Sequence, residues 1–411
     1  MTGSRLKPLL ALCIVCAIDV LGFGILIPLI PYMAVQFGAT PTLNTWILGI
    51  YSASQLLAAP LWGRLSDRWG RRPVLLTSML GACASYLLLA FAQSLTALFV
   101  ARALAGAMAG NLSAAMAYAS DISKPADRAA TMGAVGAAIG IGFMLGPAIG
   151  GALAGEQVQS VSFLRPALVS ASLSVLAMLL VLFVLPESNT AQQRRAQSAS
   201  GRRAHAWQLL RALPALRWMT LGTLLVTFSQ STLESIFAIW AMERFHVGPR
   251  TVGMALFALA IVAVGMQGGL MRILVPRLGE TRLAIGGIVF LAAGVSSVAL
   301  GGGLPSVIVG LMACGLGVGL FGPSGSALAS REAQPHNRGA VMGTYQSGTS
   351  LARVIAPFAS GPTYMHFGAN APFLLAGLVT MQALWCIFGV RRVHAAQALA
   401  GDAAERQRGL R

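Results

Sequence analysis

Residues 119–151 read ASDISKPADRAATMGAVGAAIGIGFMLGPAIGG, and residues 329–361 read ASREAQPHNRGAVMGTYQSGTSLARVIAPFASG. Set against each other at a constant offset of 210 positions, Ala119, Ser120, Pro125, Arg128, Ala130, Met132, Gly133, Pro147 and Gly151 meet Ala329, Ser330, Pro335, Arg338, Ala340, Met342, Gly343, Pro357 and Gly361. Nine identities in 33 positions at one spacing mark an internal duplication. In both copies a polar loop leads into a long, mainly apolar stretch. Over the 411 residues, 56% are hydrophobic, only 10% are charged and the mean hydropathy is +0.72. A soluble protein carries about 25% charged residues. Long apolar segments account for the deficit, since a bilayer-spanning helix needs about 20 apolar residues. Twelve such segments start near Leu9, Asn44, Pro73, Thr96, Ala129 and Leu164, then near Arg217, Thr251, Leu283, Pro305, Gly339 and Asn370. The predicted fold is all-α: a polytopic membrane protein of twelve transmembrane helices in two six-helix pseudo-symmetric bundles.

Residues 1–185 form the first bundle on this reading and 216–393 the second. Between them, 186–215 is polar, with Gln192, Gln193, Ser198 and Ser200 and two Arg pairs, and reads as a cytoplasmic linker. Residues 394–411 read as a cytoplasmic tail. Positive loops stay cytoplasmic. All but five of the 29 Lys and Arg fall on the side of both termini; Arg165, Arg244 and Arg250 lie opposite, and Arg102 and Arg353 lie inside apolar segments. Both termini are therefore expected in the cytoplasm, with the chain multi-pass in the inner membrane of a bacterium. The net charge of +17 is dispersed over alternate loops, which argues against nucleic acid as a partner. The first apolar stretch runs from Pro8 past Met33, longer than the 7–15 residues or so of a signal-peptide core, and is expected to remain as the first helix. Cys13 and Cys16 form a C-x-x-C with no second ligand pair, so they read as packing residues rather than a metal or redox site.

Three stretches carry chemistry. The loop after the second segment reads G-R-L-S-D-R-W-G-R-R from Gly63 to Arg72: Gly63 is expected to end a helix, Gly70 to allow a tight turn, and Asp67 to sit among Arg64, Arg68, Arg71 and Arg72. Asp121 lies on the same side. Such a cluster can form in one conformation and break in another; the plainer alternative is a topology-setting basic loop with an incidental Asp67. The fifth segment carries Gly133, Gly136, Gly140, Gly142, Gly146, Pro147, Gly150 and Gly151, a face of small residues suited to close helix contact in lipid. Asp19, Glu234, Arg102 and Arg353 are charged residues inside apolar segments, where each unpaired charge costs about 2.5–3.5 kcal/mol on insertion scales. They are expected to pair or to face water.

These stretches resemble one family. G-x-L-x-D-R-x-G-R-R is similar to the signature loop of the major facilitator superfamily, and the resemblance implies that Asp67 and the arginines latch the cytoplasmic side. The equivalent loop of the second half keeps Arg277, Leu278 and Gly279 but has Pro276 in place of the Asp, so its latch is expected to be lost. G-x-x-x-G-P-x-x-G-G at Gly142, Gly146, Pro147, Gly150 and Gly151 resembles the antiporter motif of drug/proton exporters. Arg102, Gly106 and Gly110 resemble the fourth-helix motif of that group, and D-x-x-G-x-G-x-x-x-P from Asp19 to Pro28 is similar to bacterial tetracycline/proton antiporters. Those exporters carry acidic residues where this chain has Ser85 and Leu291.

The resemblance implies proton-coupled efflux of small amphiphilic compounds, tetracycline-like or multidrug, by alternating access between the halves. Asp19 and Glu234 occupy equivalent helices, and in that fold both face the cavity. Burial favours a protonated carboxyl group and a nearby guanidinium favours the ionised one. Asp19 or Glu234 is the expected proton carrier, with Arg102 or Arg353 displacing the proton. Gln55, Asn111, Gln230, Phe237, Trp240, Gln267 and Gln346, with Phe23 and Tyr345, are expected to line the substrate path; helix-packing positions are the alternative. The expected partners are a small-molecule substrate, protons and the bilayer, for a monomer with no cofactor, no metal and no nucleic acid. Competing readings are a proton-coupled metabolite transporter of the same fold and a non-transporting membrane receptor. An enzyme is disfavoured, because the five histidines lie in loops or the tail with no two at ligand spacing and no G-x-x-x-x-G-K-[ST] phosphate loop occurs.

Overall fold

The computed structural model describes residues 3–123, 127–157, 163–188, 206–334 and 337–409. Among them are twelve helical segments of spanning length. They are α1 (Lys7–Gln36), α2 (Pro41–Trp69), α3 (Arg71–Ala90), α4 (Leu95–Ile122), α5 (Arg128–Ala154) and α6 (Leu164–Val184), then α7 (Pro214–Phe245), α8 (Pro249–Leu278), α9 (Glu280–Leu300), α10 (Leu304–Arg331), α11 (Arg338–Phe367) and α12 (Ala371–Gly409). Ten are apolar enough to cross a membrane by length and composition; α2 and α11, the other two, have 29 and 30 residues, about 43–45 Å at 1.5 Å per residue. The Pro125 and Pro335 of the repeat and most of the linker lie outside the described residues. Of the linker, Ala206–Ala212 is a short helix, and α12 runs unbroken to Gly409 through the residues read as a tail.

Local chemistry sets the ends and breaks. Thr40 caps α2, its hydroxyl accepting from Leu43 N–H at 3.3 Å ahead of Pro41 at the first helical position. Gly70 (φ 110°) separates α2 from α3 and Gly279 (φ 75°) separates α8 from α9, a backbone region that glycine enters without steric penalty. Gly63 does not end a helix, contrary to the sequence expectation: α2 passes through it to Trp69, because nothing crowds that position and no positive φ is needed. α1 is interrupted between Leu26 and Ile30 beside Pro28 and Pro31. α4 is interrupted at Met108–Gly110. α8 contains a π-helical turn, Met266–Leu270.

The chain divides into two compact units. One comprises residues 1–201, 234–264 and 357–372; the other comprises 202–233, 265–356 and 373–411. The division crosses α7, α8, α11 and the first turn of α12, at Pro357 in α11 and just before the π turn in α8. In the first unit Leu12, Val15, Val74, Leu75, Met79, Ala114, Tyr118 and Val181 are buried together. α5 presses on α1 through glycines: a methyl group on Gly146 would stand 2.6 Å from Gly24 Cα, and one on Gly142 would stand 2.7 Å from the Ala17 carbonyl oxygen. In the second unit α9 and α10 meet the same way, with Gly294 against Cys314 and Gly317 against Leu291. Leu291 is fully buried in this contact.

Candidate functional site

In the first unit, the break in α4 assembles a polar site inside an apolar bundle. Interrupting a helix in lipid frees backbone groups that no solvent can satisfy, and here two side chains take them. The Trp62 indole N–H of α2 donates to Ala107 O at 2.6 Å. The Ser78 hydroxyl of α3 donates to Met108 O and accepts from Gly110 N–H (3.2 Å) and Asn111 N–H (3.0 Å). Gly110 fits because a side chain there would collide with the Trp62 ring. α4 then restarts at Asn111, whose side-chain amide donates to the carboxylate of Asp19 on α1. Asp19 is 6% exposed.

One turn along α1 from Asp19 stands Phe23. The Arg102 guanidinium of α4 lies 5.5 Å from the Phe23 ring centre and 4.5 Å from that of Tyr51 on α2, so two aromatic faces hold the charge. Arg102 is 2% exposed, and its Nε and Nη1 have no hydrogen-bond partner among the described residues. Gly106 lets α4 approach α2 here, since a side chain on it would meet the Tyr51 carbonyl. A caged guanidinium with unused donors, and a buried carboxylate bound only through an amide one turn of α1 from the ring that cages it, are groups that can exchange partners.

Over Gly63–Arg72, read as a loop in the sequence but helical on both sides of Gly70, Arg71 is the hub. Its side chain, 7% exposed, donates to Ser66 Oγ (2.9 Å), Asp67 (2.9 Å) and Asp121 at the end of α4 (3.1 Å). Glu187, past the end of α6, accepts from the backbone N–H groups of Arg71 (2.9 Å) and Arg72 (3.0 Å) and so caps α3. The Arg72 guanidinium bonds the Val181 and Leu182 carbonyls, whereas Arg64 and Arg68 are exposed. In the second unit, where Pro276 stands in place of the Asp, Glu280, first residue of α9, pairs with Arg331 at the end of α10.

Other residues singled out in the sequence fall apart into different settings. Glu234 is the only exposed residue between positions 222 and 242 of α7. Arg353, Gln267 and Gln346 are exposed in the second unit, with Gln267 in the π turn; Gln55 and Gln230 are half-buried. Phe237 and Trp240, read as lining residues, are 1% and 0% exposed; Trp240 donates to Asn370 at 3.0 Å and stacks edge-on to Phe245, so both are packing residues here. Tyr345 is buried beside Gly325. Ser85 is fully buried and donates to the Gly81 carbonyl one turn back, at 2.7 Å. Of the motif glycines, Gly142, Gly146 and Gly150 face α1, while Gly151 meets Pro249 and Arg250 at the start of α8, within the same unit. Sequence reasoning missed Ser78, Trp62, Tyr51 and Glu187. Gly106 and Gly110 near an Asn in an apolar run were the signal for the break.

The family model of the Major Facilitator Superfamily matches residues 12–304 and 219–408. The chain belongs to this superfamily. It is 30% identical over 372 residues to the class G tetracycline resistance protein of Vibrio anguillarum, covering 86% of this chain and 89% of that protein. It is 28% identical over 372 residues to multidrug resistance protein 2 of Bacillus subtilis, covering 89% and 90%. Among solved structures, a bacterial homologue of the human lysosomal transporter Spinster superposes with a TM-score of 0.78 at 15% identity, covering 95% of this chain and 98% of that one, a likeness of fold. This major facilitator is therefore a multi-pass membrane protein of a transporter family.

Proposed function

We propose that this chain exports small amphiphilic compounds, tetracycline-like or multidrug, in exchange for protons by alternating access. The observation that carries the reading is the buried Asp19–Asn111 pair one helical turn along α1 from Phe23, against whose ring Arg102 is caged. Asp19 carries the proton; when Arg102 takes the place of Asn111 beside it, the proton leaves. Glu234, exposed in a stretch of α7 whose neighbours from 222 to 242 are not, attracts cationic cargo. The glycine contacts of α5 with α1 and the two named resistance relatives favour export over uptake. Ser85 and Leu291, both fully buried where tetracycline exporters carry acids, favour a cargo other than tetracycline itself.

The chain acts as a monomer in the bacterial inner membrane with both termini cytoplasmic, its halves at 1–185 and 216–393 joined by the 186–215 linker. One proton moving down about 100 mV yields about 2.3 kcal/mol, enough at 1.4 kcal/mol per tenfold for a gradient on the order of 50-fold. The test is a drug-panel growth assay in a pump-deficient bacterium, with Asp19→Asn and Glu234→Gln beside the unmodified chain and with an uncoupler. Resistance abolished by the uncoupler and by Asp19→Asn is expected. Resistance to no compound in a broad panel points instead to metabolite transport, and resistance indifferent to the uncoupler sinks the proton exchange.

A further inference from the structure

At the end of the helices remote from the Gly63–Arg72 stretch, one side chain ties the first sequence half to the second, within the first unit. α5 stops at Ala154, Gly155 turns the chain with φ 85°, and Glu156 reaches the start of α8. One oxygen of its carboxylate accepts from Gly248 N–H (2.9 Å) and the Thr251 hydroxyl (2.8 Å); the other accepts from Thr251 N–H (3.1 Å). Arg250 N–H donates to Gly155 O at 3.1 Å.

These are the N–H groups that a helix cannot satisfy within itself. Pro249 has none to offer, and Val252 N–H already reaches Gly248 O at 3.2 Å. The three remaining donors at the start of α8, those of residues 248, 250 and 251, are thus all satisfied by the loop after α5. The negative charge stands where the helix dipole favours it. Close approach is built in, since a methyl group on Gly151 would stand 3.0 Å from Arg250 Cα and one on Gly248 would collide with the Glu156 backbone. Tyr32 adds a hydroxyl bond to Val247 O at 2.9 Å.

We propose that Glu156 is a conformational latch: α8 borrows its cap from the other half, so the halves part at this end only by giving up that cap. The Arg71 hub has no such reach: among the described residues its side chain bonds Ser66, Asp67 and Asp121 and its backbone N–H bonds Glu187, all of them before the second bundle. This proposal holds whatever the cargo and whether or not protons are exchanged.

The test reads distance, with no drug and no gradient. In a chain whose five cysteines are replaced, spin labels go at Ala152→Cys on α5 and Met254→Cys on α8, both exposed positions. Pulsed electron resonance in lipid nanodiscs then gives the ratio of long to short distances. Glu156→Ala is expected to raise that ratio about tenfold, a change of about 1.4 kcal/mol. Glu156→Gln, which keeps one acceptor oxygen, falls between, and Thr251→Val raises the ratio least. Thr40→Ala removes an ordinary cap at the same end and is expected to leave the ratio unchanged. An unchanged distribution in Glu156→Ala overturns the latch, as does an equal rise in Thr40→Ala. Should Glu156→Ala not fold, Glu156→Gln and Thr251→Val decide instead: a raised ratio in both supports the latch, and an unchanged ratio in both overturns it.

Discussion

The two halves begin their third helices with opposite charges. In the first half Arg71 opens α3 and pairs with Asp121 at the end of α4; in the second Glu280 opens α9 and pairs with Arg331 at the end of α10. Arg331 lies 210 positions after Asp121, the offset of the repeat, and Gly70 and Gly279 precede the two openings with φ of 110° and 75°. The tie between the start of one helix and the end of the next has thus survived duplication with its polarity reversed. Its surroundings differ because helix dipoles do not reverse. A carboxylate at a helix start suits the dipole and a guanidinium opposes it. α9 supplies its own carboxylate, whereas α3, starting with two arginines, recruits Glu187 from beyond α6. The first tie is consequently buried and many-partnered; Arg331 is 62% exposed on its side chain.

The sharpest break of that comparison is Arg71→Gln, which removes the buried guanidinium that Asp67 and Asp121 share. Loss of about 3–5 kcal/mol is expected, seen as a large fall in the unfolding temperature of the detergent-solubilised protein. Asp121→Arg should fall as far, and Arg71→Glu added to it should recover part, since the second half already runs on that polarity. Next comes Glu187→Ala, which uncaps α3 at about 1–2 kcal/mol; amide exchange at Arg71 and Arg72 should quicken while Glu280→Ala leaves those amides alone. Glu280→Gln should lose up to about 1 kcal/mol of dipole interaction at low salt, and the loss should shrink as salt is added. Arg331→Ala is the smallest, within about 1 kcal/mol of zero for an exposed pair. An unfolding shift for Arg331→Ala as large as that of Arg71→Gln would show the two ties to be equal and the argument from exposure wrong.

Periodicity makes the helices legible: apolar runs of spanning length, and a repeat exact enough to place Arg331 on Asp121. Average hydropathy underrates α2 and α11, whose polar residues are compatible with a spanning length but not with a strongly apolar mean. Asp19, Arg102 and Asn111 are legible as polar residues in apolar segments. Their grouping is not, because it depends on where α4 breaks, and that break is stabilised by Trp62 and Ser78 from other helices. Glu187 and Glu156 read only as loop acids, since nothing in a loop sequence tells which helix start a carboxylate will reach. Phe237 and Trp240 show the reverse error: aromatic character suggests a lining, and packing takes them.

α2 has a mechanical consequence. Trp62 grips the broken α4 at Ala107, and Asp67, five residues and about 7.5 Å further along the same rod, grips Arg71. One shaft therefore carries a bearing at the buried carboxylate site and a coupling at Arg71. A twist of α2 large enough to free Asp67 also pulls on the carbonyl that fixes where α4 restarts, and hence on the amide that holds Asp19. The two are geared.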